Sequence, residues 1–404
     1  MKVAVIGGGA AGYFAAIAVK KNYPDASVTI FEKTKHSLAK VRISGGGRCN
    51  VTNGNTSIAK LANAYPRGKA LMKRSLKTFN PKDTIQWFES RGVPLFIQDD
   101  MRVFPSSQDS ASIVDCLEGE VTDQNIACEF WTGVKSITQA GGQLQLTFSR
   151  VDLEPQSFDK VIVSSGGSPR AEGLDWLKAL GHNIVPPVPS LFTFNIPYDP
   201  IVDLMGVSID PVFVSIPGSK LKTRGPLLIT HWGFSGPAIL ELSAHGARVL
   251  EERDYQFEVR VNWINQRNHE IALEQLEEAI SENGRKLLTN IRPFGLPARF
   301  WRYFLKRSEF HLSKRCDELG KKGLNKLVAL LTNDAYKVSG KTTFKEEFVT
   351  CGGISLDSID GRTMGSKVCK NLYFAGEILD IDGITGGYNF QAAWTTAFIA
   401  AKLG

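Results

Sequence analysis

The 404-residue chain lacks long hydrophobic runs, although 43% of its residues are hydrophobic. A membrane-spanning helix needs about 18 consecutive apolar residues, and no stretch of the sequence is that long. This excludes a transmembrane protein. The N-terminal region also lacks the charged segment and apolar core of a signal peptide, because a predicted strand begins almost at once. These absences predict a soluble, cytoplasmic protein of about two or three domains.

Cysteine is scarce, and its six positions contain no Cys-x-x-Cys pair. This spacing predicts neither a zinc site nor a disulfide framework, so no metal is expected and the cysteines are predicted to be reduced thiols. They are Cys49, Cys116, Cys128, Cys316, Cys351 and Cys369.

The charge balance is only moderately basic, with 48 Lys and Arg against 41 Asp and Glu and a formal net charge of +7. The basic residues are interpreted as spread along the chain rather than gathered into a stripe. No aromatic platform or RNA-binding motif accompanies them, so no nucleic-acid partner is expected. A modest positive field that attracts anionic cofactors or substrates is the most that this charge predicts.

The start of the chain, in contrast, has the pattern of a phosphate-binding βαβ unit. A strand over residues 2–6 is followed by a glycine-rich turn, an apolar helix to Val19 and a second strand over residues 27–31. Gly7 allows the tight turn, Gly9 lets the backbone approach a pyrophosphate, and Gly12 lets the helix pack close to the sheet. Glu32 follows the second strand, where a carboxylate accepts hydrogen bonds from ribose hydroxyls. The unit therefore predicts a bound dinucleotide.

A second motif, Ser44-Gly45-Gly46-Gly47-Arg48-Cys49-Asn50, follows the βαβ unit. Its glycines predict a loop whose backbone N–H groups all point at one anion or carbonyl-rich ring. Arg48 would add a fixed positive charge near phosphates or a flavin. Cys49 is a candidate redox thiol, and the alternative is an inert buried cysteine. An ordinary flexible loop is the alternative for the whole motif.

The C-terminal region repeats these features. A strand ending on Gly376-Glu377 brings a carboxylate to the edge of the sheet, where it can bond ribityl hydroxyls. Gly386-Gly387 then opens the last helix, whose positive end would stabilise negative charge on a reduced flavin. Another buried strand, residues 159–163, ends on small residues that leave space for a nucleotide. The alternative is that these elements only complete the fold.

Four motifs resemble those of the BaiN-like NAD(P)/FAD-dependent oxidoreductases, and the similarity spans essentially the full chain. They are Gly7 to Gly12, Ile43 to Asn53, Thr230 to Pro237, and Leu372 to Glu377 continued by Asp382 to Asn389. The resemblance implies an α/β fold: an FAD-binding, glutathione-reductase-like Rossmann domain with a β-meander, interrupted by an inserted β-barrel plus helical domain.

The resemblance also implies roles for individual residues. Gly9, Ala10, Ala11 and Gly12 would hold the pyrophosphate, Glu32 the adenosine ribose, and Ser44 to Asn50 the phosphate and flavin side. Val134 would meet the adenine through its backbone, and Glu377 with Gly387, Tyr388 and Asn389 would hold the ribityl chain and the ring. Further cofactor-binding candidates are Gly7, Lys33, Lys40, Ser165, Gly166, Gly376, Asp382 and Gly386.

The domain boundaries follow from pattern changes along the chain. Residues 1–189 and 337–404 are predicted to form the FAD-binding domain, with the meander near residues 127–148. Pro186, Pro187 and Pro189 predict a stiff linker. Alternating stretches in residues 190–266 predict an inserted β-barrel, and residues 267–336 a helical subdomain with helices near 270–288, 297–306 and 323–332.

The catalytic candidates are His231, Cys49 and Tyr388. His231 lies in an aromatic, glycine-broken turn and would serve as an acid or base beside the flavin, or Trp232 would stack on a substrate. A purely structural hydrogen bond is the alternative for His231.

These observations predict an FAD-dependent oxidoreductase that transfers a hydride through flavin N5 to a small organic substrate held between the flavin and the inserted domain. No second Gly-x-Gly-x-x-Gly follows, so NAD(P)H is expected to visit the flavin and leave. The alternatives are a flavin oxidase of small amines that uses oxygen, and a non-catalytic flavin-bearing binding protein. The sequence leaves substrate and oligomeric state open.

Overall fold

The computed structural model describes residues 1–342 and 349–404. The chain divides into two compact units, Met1–Ser190 with Phe344–Gly404, and Leu191–Thr343. We call them the cofactor unit and the inserted unit. Of the predicted domain segment 337–404, residues 343–348 lie outside the described residues.

The α-helices of the described residues are α1 (Ala10–Asn22), α2 (Ala39–Gly47), α3 (Ile58–Asn63), α4 (Lys69–Ser75), α5 (Pro81–Glu89), α6 (Ala111–Asp123), α7 (Asp175–Lys178), α8 (Pro237–Glu251), α9 (His269–Ser281), α10 (Ala298–Arg307), α11 (Gly320–Thr332) and α12 (Tyr388–Ala400). In the part of the chain that the structure describes, none of these helices has the length and apolar character to cross a membrane.

The strands are β1 (Lys2–Ile6), β2 (Ser27–Phe31), β3 (Thr52–Asn53), β4 (Leu95–Ile97), β5 (Arg102–Pro105), β6 (Ala127–Glu129), β7 (Val134–Ala140), β8 (Gln143–Phe148), β9 (Gln156–Phe158), β10 (Lys160–Val163), β11 (Ile184–Ser190), β12 (Thr193–Asn195), β13 (Ser208–Ser215), β14 (Lys222–Thr230), β15 (Gly233–Ser235), β16 (Gln256–Asn262), β17 (Asp334–Ser339), β18 (Lys341–Thr342), β19 (Val349–Ile354), β20 (Ile359–Asp360), β21 (Gly365–Ser366) and β22 (Leu372–Phe374).

The cofactor unit is built on a sheet with the strand order β20-β21-β22-β10-β1-β2-β6. Its central strands β22, β10, β1, β2 and β6 are parallel neighbours, so their carboxyl ends lie at one edge. The short apolar strands β1 and β10 are buried, as expected for a sheet covered on both faces. This confirms the predicted α/β Rossmann-type fold and places the glycine-rich turn after β1 at the sheet edge.

The meander differs in detail from the prediction. β7, β8 and β9 form the antiparallel three-stranded sheet, and the predicted first strand near residue 127 is β6, which pairs in parallel with β2. Strand propensity alone does not specify which neighbour a strand pairs with. The segment after β6 therefore passes beside the end of β2.

Two helices pack on the parallel sheet and on each other. Residues Ala11 to Val19 of α1 are buried, and α12 is buried on almost every face. Phe14 of α1 lies 5.4 Å from the Trp394 ring of α12 between ring centroids, and Trp394 Nε1 donates to the Val51 carbonyl (3.0 Å). The two ends of the chain are thereby held in one core.

The inserted unit has an antiparallel sheet with the order β17-β16-β13-β14-β15-β12-β18. Helices α8 to α11 contribute to its separate core, where Trp263, Phe300 and Tyr336 are fully buried. The helices predicted near 297–306 and 323–332 are α10 and α11, and their bounds lie within three residues of the expected ones. The helix predicted near 270–288 is α9, which already ends at Ser281. Closure of the sheet into a barrel and the predicted domain boundaries stay predictions.

Candidate cofactor-binding site

The glycine-rich turn after β1 is shaped by close backbone packing. A Cβ on Gly7 would lie 2.5 Å from the Ser164 carbonyl oxygen, and a Cβ on Gly12 would clash with the Gly7 carbonyl. A Cβ on Gly9, in contrast, would meet no atom within 4 Å. Gly7 and Gly12 are therefore required by the protein's own packing, whereas Gly9 faces open space at the N-terminus of α1.

The N-terminus of α1 has the electrostatic properties of an anion site. Gly9 is its N-cap, and no side chain caps the helix. The first-turn N–H groups of Ala10, Ala11 and Gly12 have no acceptor within the helix, and the helix dipole places partial positive charge there. This is the arrangement that binds a pyrophosphate.

Glu32 is held beside this turn by three hydrogen bonds. Its Oε2 accepts from the Gly8 N–H (2.7 Å), and its Oε1 accepts from the N–H (2.8 Å) and hydroxyl (2.7 Å) of Thr34. The carboxylate is thus fixed at the end of β2, the place predicted for the ribose contact.

The predicted adenine side lies next to Glu32. The Thr132 N–H donates to the Glu32 carbonyl (2.8 Å), and a Cβ on Gly133 would lie 3.3 Å from the Lys33 Cβ. Val134 begins β7 immediately afterwards. The structure thus brings Glu32, Lys33 and Val134 together, although they come from separate segments of the chain.

The ends of the neighbouring strands complete this edge. Ser165 and Gly166 follow β10, and a Cβ on Gly166 would meet no atom within 4 Å. Gly376 follows β22, and a Cβ there would lie 2.8 Å from the Ala11 Cβ of α1. The predicted N-terminal and C-terminal site residues therefore meet at one edge of the sheet.

The triple-glycine motif departs from helical geometry inside α2. Ser44 is extended, and Gly45, Gly46 and Gly47 all have positive φ between 59° and 83°. A Cβ on Gly46 or Gly47 would meet nothing within 4 Å, so this loop also exposes open backbone. Arg48 lies over the Phe104 ring, 4.3 Å from its centroid, and donates to the Gly45 carbonyl (3.2 Å).

Cys49, the candidate redox thiol, is fully buried behind this loop. Burial raises the pKa of its thiol to about 12, and a hydrogen bond with Ser44 opposes the rise. At neutral pH the thiol is therefore protonated, and this environment does not favour a nucleophilic or redox role.

The N-terminus of α12 is attached to the strand pair β3 and β5. In the amide orientation that satisfies its neighbours, Asn50 accepts from the Gly387 N–H (2.9 Å) and donates to the Thr52 carbonyl (2.9 Å). Asn53 donates to the Gly386 carbonyl (3.2 Å). A Cβ on Gly387 would clash with the Thr52 backbone. Asn50 thus positions the start of α12.

The segment 380–389, which we call the flavin-side loop, is braced by its own side chains. The Asn389 amide accepts from the Gly383 N–H (2.8 Å) and donates to the Gly383 carbonyl (3.0 Å). Tyr65 donates to the Tyr388 carbonyl (2.8 Å), and the two rings meet edge to face. The Asn389 side chain therefore stabilises the flavin-side loop rather than pointing its amide away from it. Tyr388, the predicted catalytic residue, is adjacent and half-buried.

A buried ion pair that the sequence analysis missed fixes the same loop. Asp382 is completely buried and accepts hydrogen bonds from the Arg67 guanidinium and from the Ser190 hydroxyl (2.7 Å). Burial raises the pKa of Asp382, and the Arg67 charge opposes that rise. Asp382, predicted to bind the cofactor, has a clear structural role. Only an acid before a glycine-rich loop was visible in the sequence.

Lys40 and Glu377, both predicted cofactor residues, contact each other. Lys40 Nζ lies 2.8 Å from Glu377 Oε2, and the Thr350 N–H donates to Glu377 Oε1 (2.8 Å). The buried Thr350 hydroxyl has no hydrogen-bond partner among residues 1–342 and 349–404. An unsatisfied buried hydroxyl beside a fixed carboxylate is a group that a polyhydroxylated ligand would satisfy.

His231, the remaining catalytic candidate, belongs to the inserted unit. It is exposed on the turn between β14 and β15, and its ring meets the Trp232 ring edge to face at 4.3 Å between centroids. Its role as an acid or base stays a prediction.

The residues present fit FAD. Open backbone at Gly9, Gly46, Gly47 and Gly166 provides the close approach that a pyrophosphate and ring need, and the unsatisfied Thr350 hydroxyl lies beside Glu377. Glu32 and Glu377 supply one carboxylate at each end of the predicted FAD site.

Comparison with characterised proteins gives relatives of nearly equal length. The chain is 28% identical to a 3-dehydro-bile acid delta(4,6)-reductase of Clostridium scindens, over 99% of this chain and 98% of the relative. It is 26% identical to a ribosomal RNA dihydrouridine synthase of Haemophilus influenzae, over 98% and 96%, and 27% identical to that of Escherichia coli, over 98% and 96%.

Solved structures share the fold at low sequence identity. A 3-ketosteroid delta1-dehydrogenase of Sterolibacterium denitrificans superposes with a TM-score of 0.53 and 11% identity, over 99% of this chain and 98% of that one. A 3-ketosteroid-delta4-(5alpha)-dehydrogenase of Rhodococcus jostii gives a TM-score of 0.51 and 13% identity, over 99% and 96%.

A family model supplies the assignment, because the HI0933-like protein Rossmann domain matches residues 1–403. With that match and the full-length relatives, the BaiN-like resemblance is confirmed. The chain belongs to the HI0933-like Rossmann family and is an FAD-dependent oxidoreductase.

Proposed function

We propose that the protein reduces a ring carbon–carbon double bond conjugated to a carbonyl group, with NAD(P)H as a transient electron donor. The observation that carries the proposal is the meeting of Gly9, Gly166 and Gly376 at one sheet edge, beside the uncapped N-terminus of α1. The relatives' names support the reaction class: a bile acid delta(4,6)-reductase and a dihydrouridine synthase both saturate such a bond.

When bound, FAD supplies a two-electron carrier between NAD(P)H and the double bond. The chain's own groups bind and orient it. The N-terminus of α1 would hold the pyrophosphate, with Glu32 and Glu377 on the ribose and ribityl hydroxyls. The positive end of α12, fixed by Asn50, would stabilise negative charge beside the flavin-side loop.

Reduction of the double bond also consumes a proton at the second carbon. Tyr388 is the proposed donor, because it opens α12 and its backbone is fixed by Tyr65. Cys49 is not used, since its buried thiol has a raised pKa.

Anaerobic mixing tests the electron donor. NADH or NADPH should bleach the flavin absorption band, and an enone such as a 3-keto-delta4 steroid or uridine should restore it, whereas the matched saturated ketone should not. If small amines alone bleach the flavin, the result favours the oxidase. If neither NAD(P)H nor amines bleach it, the result favours the non-catalytic binding protein. With Tyr388→Phe, bleaching should persist while reoxidation by the enone slows about 100-fold or more, the usual contribution of a positioned acid.

A further inference from the structure

Helix α12 carries polar side chains on a face that is completely buried. Gln391 and Thr395 lie four residues apart, so their side chains are neighbours on the helix surface, and both are fully buried. The residues between them, Ala392, Ala393 and Trp394, are apolar. A buried amide costs free energy unless its polar groups find hydrogen-bond partners, and an apolar side chain of similar volume would avoid that cost. Core packing alone therefore does not explain a glutamine at position 391.

The Gln391 amide has hydrogen-bond partners on two sides. Its Oε1 accepts from the Thr52 hydroxyl and from the Thr84 hydroxyl (2.9 Å), and both threonines are fully buried. Its Nε2 donates to the Thr395 hydroxyl (2.9 Å), which donates in turn to the Phe79 carbonyl (2.9 Å). Because the Thr395 hydroxyl uses its only hydrogen on a carbonyl, it accepts from Gln391, and this fixes the orientation of the amide. Gln391 therefore joins α12 to β3 and α5.

Thr52 contacts the first turn of α12 at both of its ends. The Gln391 N–H donates to the carbonyl of the N-cap residue Gly387 (3.0 Å), so Gln391 lies one helical turn after Gly387. At the start of this turn, a Cβ on Gly387 would clash with the Thr52 backbone, and Asn50 bridges the Gly387 N–H and the Thr52 carbonyl. At its end, the Thr52 hydroxyl donates to the Gln391 side chain. A single residue of β3 thus fixes the whole turn.

The turn held in this way carries the partial positive charge of the helix N-terminus. The N–H groups of Tyr388, Asn389 and Phe390 have no acceptor within the helix, and residues 388–391 are uncharged. Dipoles that are already fixed need no reorganisation when charge develops beside them, and they stabilise that charge more than mobile dipoles do. The buried network therefore gives the N-terminus of α12 a fixed electrostatic field.

We propose that Gln391 is a positioning residue that raises the electron affinity of the bound flavin. Through Thr52 and Thr84 it fixes the N-terminal N–H groups of α12 at the place where two-electron reduction leaves negative charge on the flavin ring. Reduced FAD is then bound more tightly, relative to oxidised FAD, than it would be beside a mobile helix end. The proposal rests on the proposed function for the flavin beside α12, and it adds which buried side chains set the potential of that flavin.

A purely structural role of the network predicts a different result. A buried polar network can also specify one packing arrangement of the core. Its loss would then lower the free energy of unfolding and weaken the binding of oxidised and reduced FAD equally. The midpoint potential of the flavin would stay unchanged, because it depends on the ratio of these two affinities. The potential therefore separates the two roles.

The test measures the midpoint potential of the bound flavin in anaerobic titrations with xanthine, xanthine oxidase and a reference dye. The variants Gln391→Met and Thr52→Val each remove the hydrogen bond between these residues with little change in volume. The ratio of the dissociation constant of oxidised FAD to that of reduced FAD should fall about three- to tenfold, which makes the potential about 15–30 mV lower. Thr84→Val leaves the bond from Thr52 in place and should give a smaller shift in the same direction.

Two further variants are the matched controls. Thr52→Ser keeps a hydroxyl that donates to Gln391 and should leave the potential at the parent value. Thr223→Val makes the same substitution at a buried threonine of the inserted unit, whose hydroxyl donates to the Ala238 carbonyl (2.8 Å). It should lower the free energy of unfolding without shifting the potential.

An unchanged potential in Thr52→Val, an equal shift in Thr52→Ser, or an equal shift in Thr223→Val would each overturn the proposal. If Gln391→Met does not fold, the substitutions of Thr52 and Thr84 decide the result. The titration uses neither NAD(P)H nor an enone. A protein that NAD(P)H fails to reduce would therefore contradict the proposed function, while its potentials would still show whether Gln391 acts on the flavin.

Discussion

The two ends of the predicted cofactor site are built in different ways. At the nucleotide end, the turn Gly7–Gly12 and Glu32 come from one contiguous βαβ unit and fix each other through backbone contacts. At the flavin end, the loop 380–389 is held by Arg67, Tyr65 and Asn50, which lie more than 300 residues away in sequence. The first end is specified by local sequence, and the second depends on tertiary contacts that must all form.

The largest expected effect comes from breaking the buried pair of the flavin end. Arg67→Met leaves the fully buried Asp382 without its cation, and an uncompensated buried charge costs about 3–5 kcal/mol. We expect the free energy of unfolding, measured by urea denaturation of the FAD-free protein, to fall by this amount. FAD affinity should fall as well, because the flavin-side loop loses its anchor.

The double variant with Arg67→Met and Asp382→Leu separates charge from position. Replacing both partners of a buried pair by apolar residues is often neutral, so stability should largely return. The loop would still lack its Ser190 and Arg67 contacts, so the weaker FAD affinity should persist. Full recovery of affinity would show that the pair does not position the loop.

The nucleotide end should respond to two glycine substitutions in opposite ways. Gly12→Ala forces a Cβ into the Gly7 carbonyl, and overpacking of this kind costs about 1–3 kcal/mol. Gly9→Ala meets no protein atom, and only the poorer N-cap of α1 opposes it, so the free energy of unfolding should fall by less than about 1 kcal/mol while FAD affinity falls. Urea denaturation and fluorescence titration with FAD measure the two quantities. Equal stability losses would contradict a turn in which Gly12 is required for packing and Gly9 is not.

Sequence patterns predicted the nucleotide end well because its signals are local. The strand, the glycines and Glu32 follow one another, and the structure brings them together as expected. Arg67 and Ser190 had no such signal, since they meet Asp382 through contacts across long sequence separations. The same limit explains β6, whose residues indicated a strand but not its parallel neighbour β2.

His182 lies outside both ends of the predicted cofactor site and provides a separate test of stability against pH. Its Nδ1 lies 3.0 Å from the Leu177 carbonyl and its Nε2 lies 2.8 Å from the Ser366 hydroxyl. Because a carbonyl only accepts, Nδ1 carries the proton and Nε2 accepts from Ser366, whose oxygen in turn accepts from the Val368 and Cys369 N–H groups. The neutral ring is therefore built into the folded state.

Burial lowers the pKa of His182, so the unfolded chain takes up a proton at a higher pH than the folded chain. The stabilisation is complete above about pH 6.5 and is lost as the pH falls below that value, by less than about 1.4 kcal/mol per pH unit. His182→Gln should flatten this part of the profile in urea denaturation. If the free energy of unfolding of the variant keeps the same slope against pH, other titratable groups cause the pH dependence.

The smallest expected change in the free energy of unfolding comes from an exposed ion pair, in contrast to the buried pair of Arg67 and Asp382. Lys40 and Glu377 lie 2.8 Å apart, but the Lys40 side chain is 46% exposed, and such pairs contribute about 0–1 kcal/mol. Lys40→Met should therefore lower the free energy of unfolding by less than about 1 kcal/mol, because the Thr350 N–H still holds Glu377. FAD affinity should fall more than stability does, since the lost charge faces the predicted site. A loss of stability as large as that of Arg67→Met would mean that both ion pairs act as structural anchors, and the contrast between a locally built end and a clamped end would then fail.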